Sequence, residues 1–280
     1  MKNTDFVKAL VCENKPGYIK INNSSNLISS ILPHFETLCC RPLDYRKRFC
    51  TDWKSSQEKG FDPDCGLVWR EDDLHDSKIF LHERPNLRSE LKRAGITLTP
   101  SEDILISGAE NLYKICYDEA QEICRLLDKE LPGFNFEKQF LVKESSHVLR
   151  LLRYSPDREF YAQPHYDVGF MTFAMFNGFL GKKHTEPTLF VEGHGVSLEK
   201  DMAYSFLGMK SPVFSDVSLD GDFAKALQDD WNHDFAGLLP HVHHAQSKNT
   251  KAVRYAVVFF VHIDVGLSLE EMSLIQKRFL

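Results

Sequence analysis

The sequence has no uninterrupted apolar run near the roughly 18–20 residues that a membrane-spanning helix needs, so no membrane partner is expected. It also lacks a basic excess. The 34 Lys and Arg residues stand against 40 Asp and Glu, a net charge of −6, and that sign gives no electrostatic hold on a phosphate backbone. Nucleic acid is not an expected partner. The opening residues, MKNTDFVKALVCENK, have no sustained apolar core and do not read as a secretory signal. CxxC pairs are missing, and the seven cysteines (Cys12, Cys39, Cys40, Cys50, Cys65, Cys116, Cys124) all lie in the first half, apart from most histidines. That separation argues against a Cys/His zinc site, and the odd count predicts reduced thiols in a cytoplasmic protein. Repeats, low-complexity tracts and Gly/Ser linkers are absent too, which predicts a single domain over residues 1–280.

What is present is an ordinary globular composition, 42% hydrophobic and 26% charged. Residues 1–140 read as helical and loop-rich. Thr99-Pro100-Ser101-Glu102 is a capping-box sequence with proline at the first helical position. After it Leu105, Ala109, Leu112, Cys116, Ala120, Ile123, Leu127 and Leu131 recur every three or four residues, the stripe of an amphipathic helix that Pro132-Gly133 ends. Beyond residue 140 the texture becomes β-rich, with runs at 148–154, 168–176, 203–209 and 254–261. Helices first and strands later predict an α+β arrangement around a sheet sandwich over 141–280. The acidic stretch 211–240, with Asp216, Asp220, Asp222, Asp229, Asp230, Asp234 and Trp231, reads as an insertion or lid over one mouth of the sandwich.

Three features carry chemistry: His165-Tyr166-Asp167, the cluster His241-Val242-His243-His244, and Arg254 at the head of the last strand. In extended chain, residues two apart share a side, so His165 and Asp167 can aim an imidazole and a carboxylate at one point. A histidine from a distant strand would complete a two-histidine, one-carboxylate face, the ligand set of non-haem iron(II) oxygenases. A zinc-binding H-x-H cluster at 241–243 is a competing reading. His262-Ile263-Asp264 repeats the H-x-D pattern with no histidine after it and reads as a strand end and turn.

The order of these motifs resembles the isopenicillin N synthase-like branch of the iron(II)/2-oxoglutarate-dependent dioxygenases. The matching segments are LRLLRYSP at 149–156, HYDVGFMTFAMF at 165–176, AYSFLG at 203–208 and GLLPHVHHAQSKNTKAVRYAVVFF at 237–260. KGF at 59–61 and DSKIFLHERP at 76–85 match in the front half. The resemblance implies a double-stranded β-helix, or jelly roll, with the helices of 1–140 packed on it. It implies an enzyme that uses Fe²⁺, O₂ and 2-oxoglutarate to hydroxylate, desaturate or cyclise a small organic molecule. The family's ligand histidine follows a glycine by about seven residues and precedes an arginine by about ten. Since 244 − 237 = 7 and 254 − 244 = 10, His244 is the expected partner of His165 and Asp167. His243 is the runner-up, and His241 is expected to face solvent or lie behind the ligands. Arg254 is expected to grip the distal carboxylate of 2-oxoglutarate through paired charge-assisted hydrogen bonds, with Tyr154 beside it. Phe170, Thr172 and Phe173 are candidate substrate walls. The chain departs from the family pattern at Ala256, where a serine usually adds a second contact to that carboxylate. The departure keeps open an iron oxidase that dispenses with 2-oxoglutarate. A non-catalytic metal-binding or interaction protein on the same scaffold is the alternative of a different class.

Overall fold

The computed structural model describes residues 3–50, 65–70, 78–142, 146–156, 160–180, 188–208, 211, 238, 240–246 and 252–263. Among them, eleven strands form two antiparallel sheets. They are β1 Gly17–Lys20, β2 Gly66–Arg70, β3 Lys78–Glu83, β4 Val148–Tyr154, β5 Phe160–His165 and β6 Met171–Gly178. β7 Leu189–Val191, β8 His194–Val196, β9 Met202–Leu207, β10 His243–Gln246 and β11 Arg254–Val261 complete the set. The larger sheet has the order β1-β9-β6-β11-β4-β3-β2 and the smaller β5-β10-β7-β8. Their inner faces pack on each other, since Ala174 and Phe206 of the larger sheet cluster with Leu189, Val191 and Val196 of the smaller. This is the jelly roll of the α+β class that the sequence led us to expect.

Strand parity divides the larger sheet into two faces with different work. On β11, Tyr255, Val257, Phe259 and Val261 join the main hydrophobic core beneath the helices. Arg254, Ala256, Val258 and Phe260 alternate with them and line a cavity between the sheets. β4 does the same, with Leu149 and Leu151 toward the helices and Arg150, Leu152 and Tyr154 toward the cavity. Two-sided burial explains why RYAVVFFV is apolar without visible alternation.

The long helix spans Pro100–Glu130 and opens with the capping box read in the sequence. Glu102 N donates to Thr99 Oγ1 at 3.4 Å and Thr99 N donates to Glu102 Oε2 at 2.8 Å. The stripe from Leu105 to Leu127 is buried in the core, with Leu131 packed at its margin. All seven cysteines are free thiols, and Cys39, Cys65, Cys116 and Cys124 are buried. No helix among the described residues is long and apolar enough to cross a membrane. The front half differs from its helical reading, because it also supplies β1 to one edge of the larger sheet and β2 and β3 to the other. These strands are short, and β1 pairs with β9 and β3 with β4, partners far away in sequence, so no local pattern joins them to the sheet. Most of the expected insertion at 211–240, namely 212–237 and 239, lies outside the described residues, as do 59–61 of the KGF segment.

A polar tie fixes the helical layer to the sheet. Arg153 of β4 and its cross-strand neighbour Tyr255 meet Glu36 of the helix Ser24–Cys39. Arg153 Nε donates to Glu36 Oε2 at 2.6 Å. Burial alone would raise the Glu36 carboxyl, but hydrogen bonds from Arg153, Tyr255 and Cys40 outweigh it and hold the group below the usual carboxylate range. A carboxylate held low stabilises the fold above its unfolded value of about 4.3, and that stability is lost as pH falls through the lowered folded value. Glu36→Gln is therefore expected to destabilise the protein by about 1–2 kcal/mol at neutral pH. In urea denaturation the gap between the variant and the wild type should narrow steadily below about pH 4.3.

Candidate functional site

Three metal-competent side chains converge between the sheets. His165 ends β5, Asp167 follows in the turn to β6, and His243 opens β10 directly opposite His165 in the strand register. Between the pairs Ala245–Ala162 and His243–His165, β10 advances by 245 − 243 = 2 residues and β5 by 165 − 162 = 3. The extra residue on β5 is a bulge, a device that re-aims side chains beside a site. The ligand atoms of His165, Asp167 and His243 all lie within 4.8 Å of one another. Asp167 Oδ1 is 3.8 Å from His165 Nε2 and 3.7 Å from His243 Nε2. These separations are too long for hydrogen bonds and leave the donors grouped around a common space.

The local electrostatics prepare the donors. Burial would raise the Asp167 carboxyl, yet His243, His165, the Thr172 hydroxyl and Arg150 outweigh it and hold the group below its ordinary value. Thr172 Oγ1 donates to Asp167 Oδ2 at 2.5 Å, fixing one oxygen and leaving Oδ1 toward the imidazoles. Burial pushes the His243 imidazole down to about 4, so at neutral pH it carries the lone pair that metal ligation requires.

His243, not the expected His244, is the member of the cluster. Alternate residues of a strand face opposite ways. His243 and Ala245 look into the cavity, whereas His244 stacks on Phe190 at 4.9 Å between ring centres. Of the two readings of His241, facing solvent or lying behind the ligands, its burial excludes the first. It is buried, its Nδ1 accepts from Leu207 N at 3.1 Å, and its Nε2 is 2.8 Å from Asn14 O. Both ring nitrogens are engaged in holding β10 against β9 and the start of the chain. This arrangement also removes His241 from the alternative H-x-H zinc cluster.

Arg254 and Tyr154 line the same cavity as the three donors. Arg254 is 0% exposed, lies with its guanidinium carbon 4.8 Å from the centre of the Tyr154 ring and donates to Asn177 Oδ1. Thr188 Oγ1 donates to the same oxygen at 2.9 Å. Asn177 went unread in the sequence because a bulge controls its direction. Across from β11, Ala174 pairs with Val258 but Phe176 with Val257 and Asn177 with Ala256. The shift puts Asn177 in register with a cavity-facing residue. Thr172 lines the cavity as expected. Phe170 and Phe173 do not. They are buried in the core under the helices, Phe170 against Phe136 and Phe173 against Phe259, because the strand begins at Met171 and parity sends odd-numbered residues outward. Lys78 and Arg150 line the cavity as well and were also missed. Arg150 shares the inward parity of Tyr154, a signal that was available. Lys78 depends on a pairing 76 residues away (154 − 78).

Two glycines allow the Asp167 turn to pack tightly. A Cβ on Gly208 would sit 2.4 Å from Gly169 O and 2.7 Å from Asp167 O. Both contacts are with backbone, so Gly208→Ala must displace the turn that carries the carboxylate. We expect this variant to keep its fold by circular dichroism and to lose affinity for divalent metal by at least about tenfold. The choice of histidine has its own test. Saturating Mn²⁺ at 100 times its dissociation constant should stabilise the wild type by about 2.7 kcal/mol. His244→Ala should retain that thermal shift and His243→Ala should lose it.

The sequence matches no protein-family model and no curated protein. Solved structures do match. A protein of Shewanella oneidensis designated an oxygenase superposes with a TM-score of 0.61 at 14% identity, over 99% of this chain and 94% of that one. A protein of Caulobacter crescentus, designated a member of the 2OG-Fe(II) oxygenase family, gives a TM-score of 0.60 at 15% identity over 99% and 94%. The Arabidopsis thaliana dioxygenase for auxin oxidation 1, in its 2-oxoglutarate complex, gives 0.60 at 16% identity over 95% and 90%. Matches that run nearly end to end, on a jelly roll reached independently from its strands, establish that this chain has the fold of the 2-oxoglutarate–iron(II) oxygenases.

Proposed function

We propose that the chain is an Fe(II)/2-oxoglutarate-dependent oxygenase that oxidises a small organic molecule by hydroxylation, desaturation or ring closure. The observation that carries this reading is the meeting of His165, Asp167 and His243 in one cavity with Arg254. The donor chemistry fits iron(II): two imidazole nitrogens and one carboxylate oxygen hold the ion and leave further positions for exogenous ligands. The cavity fits a keto diacid, because a buried guanidinium lies in the same enclosure as the donors and matches a carboxylate in geometry and charge.

Each residue then has a definite task. His165, His243 and Asp167 bind the ion, and Thr172 holds the carboxylate in one orientation by donating to its other oxygen. Arg254 takes the distal carboxylate of the keto acid while Asn177 and Tyr154 keep the guanidinium in place. Leu152, Ala174, Leu189, Phe206, Val258 and Phe260 give the enclosure an apolar wall that limits water. Iron(II) together with 2-oxoglutarate supplies the activation of dioxygen that amino-acid side chains lack. The free cysteines agree with a reducing, cytoplasmic setting.

Anaerobic addition of Fe²⁺ and 2-oxoglutarate is expected to produce a weak visible charge-transfer band, abolished in His165→Ala and His243→Ala. Arg254→Met should need at least about tenfold more 2-oxoglutarate to reach the same absorbance. Absence of the band in the wild type, with no succinate released in air, would overturn the proposal in favour of a non-catalytic scaffold. Oxygen uptake without succinate would instead select an oxidase independent of the keto acid.

A further inference from the structure

Ala256 removes a hydroxyl from the place where a second contact to the distal carboxylate is expected, and the strand register shows what stands nearby. Tyr154 of β4 pairs with Arg254 of β11 on one side and with Lys78 of β3 on the other. Lys78, Tyr154 and Arg254 therefore form one rung across three neighbouring strands, and all three line the cavity. Strands lie about 4.8 Å apart, which separates the two cationic residues by roughly 10 Å of backbone, a gap that their long side chains can close from opposite sides. The next inward rung is Phe80, Leu152 and Ala256. Lys78 leans toward it, with Nζ 5.9 Å from the centre of the Phe80 ring. Its ammonium thus lies by the β3 end of the rung whose β11 end is Ala256.

We propose that Lys78 is a second cationic contact for the distal carboxylate of 2-oxoglutarate, compensating for the missing hydroxyl at Ala256; this rests on the cosubstrate reading above. Arg254 provides the planar fork from β11 and Lys78 a compact point charge from β3. Among the described charged residues of the cavity wall, Lys78, Arg150 and Arg254 stand against Asp167 alone. One carboxylate of the keto diacid can take both cations of the Tyr154 rung.

The test is calorimetric titration of 2-oxoglutarate into the full chain loaded with Mn²⁺, which reads binding without turnover. Lys78→Met should weaken 2-oxoglutarate by about tenfold or more, the range of a charge-assisted hydrogen bond. Lys78→Arg should keep most of the affinity, and adding Ala256→Ser to Lys78→Met should restore much of what was lost. The same titration with 2-oxopentanoate, which keeps the keto acid and lacks the distal carboxylate, should not distinguish Lys78→Met from the wild type. An unchanged 2-oxoglutarate affinity in Lys78→Met, or an equal loss for both keto acids, overturns the role of Lys78 and leaves the cosubstrate reading standing. Failure of the wild type to bind 2-oxoglutarate at all overturns both.

Discussion

The alternation of side chains along an extended strand governs this molecule more than any single bond does. β4, β6 and β11 must satisfy two unlike environments at once, a hydrophobic layer on one face and a polar, charge-bearing enclosure on the other. Leu151 and Val257 meet the first demand while Leu152 and Ala256, one residue away, border the second. Because the period is two, a slip of one residue would exchange the faces wholesale, sending Arg254 under the helices and Tyr255 into the enclosure. The burial of a helical layer over the outer face thus specifies the inner face without contacting it.

The same constraint explains why the tie between Glu36, Arg153 and Tyr255 can coexist with a hydrophobic core. Arg153 and Tyr255 belong to the helix-facing set, and their polar ends meet one helix carboxylate. Such a contact adds orientation to an otherwise non-directional hydrophobic interface. It fixes which turn of the helix Ser24–Cys39 rests on which rung of the sheet, and through that rung the position of Tyr154 and Arg254.

Legibility in the sequence followed the same physics. The capping box at Thr99 and the strand Arg254–Val261 are local signals, and they were readable to the residue. His165 and Asp167 were readable as a pair because their spacing alone puts them on one side. The third member of the cluster was not. A count along the chain cannot distinguish His243 from His244 unless the strand's facing is known, and the loop before β10 hides it. Phe170 failed as a cavity wall because it precedes the strand start at Met171, and Phe173 because it alternates with the cavity-lining Thr172 and Ala174. Asn177 and Lys78 needed information that no window contains: a bulge in one case and a long-range pairing in the other.

The two hydrogen bonds of His241 have a consequence for how the protein is made. One fastens β10 to Leu207 and the other to Asn14, which emerges from the ribosome more than two hundred residues earlier. The approach to the strand that delivers His243 is thus tied to the chain's opening segment. Contacts so distant in sequence raise the contact order, which slows folding relative to a fold built from local contacts. The donor cluster therefore cannot be complete until the last quarter of the chain, β10 and β11 included, has been made.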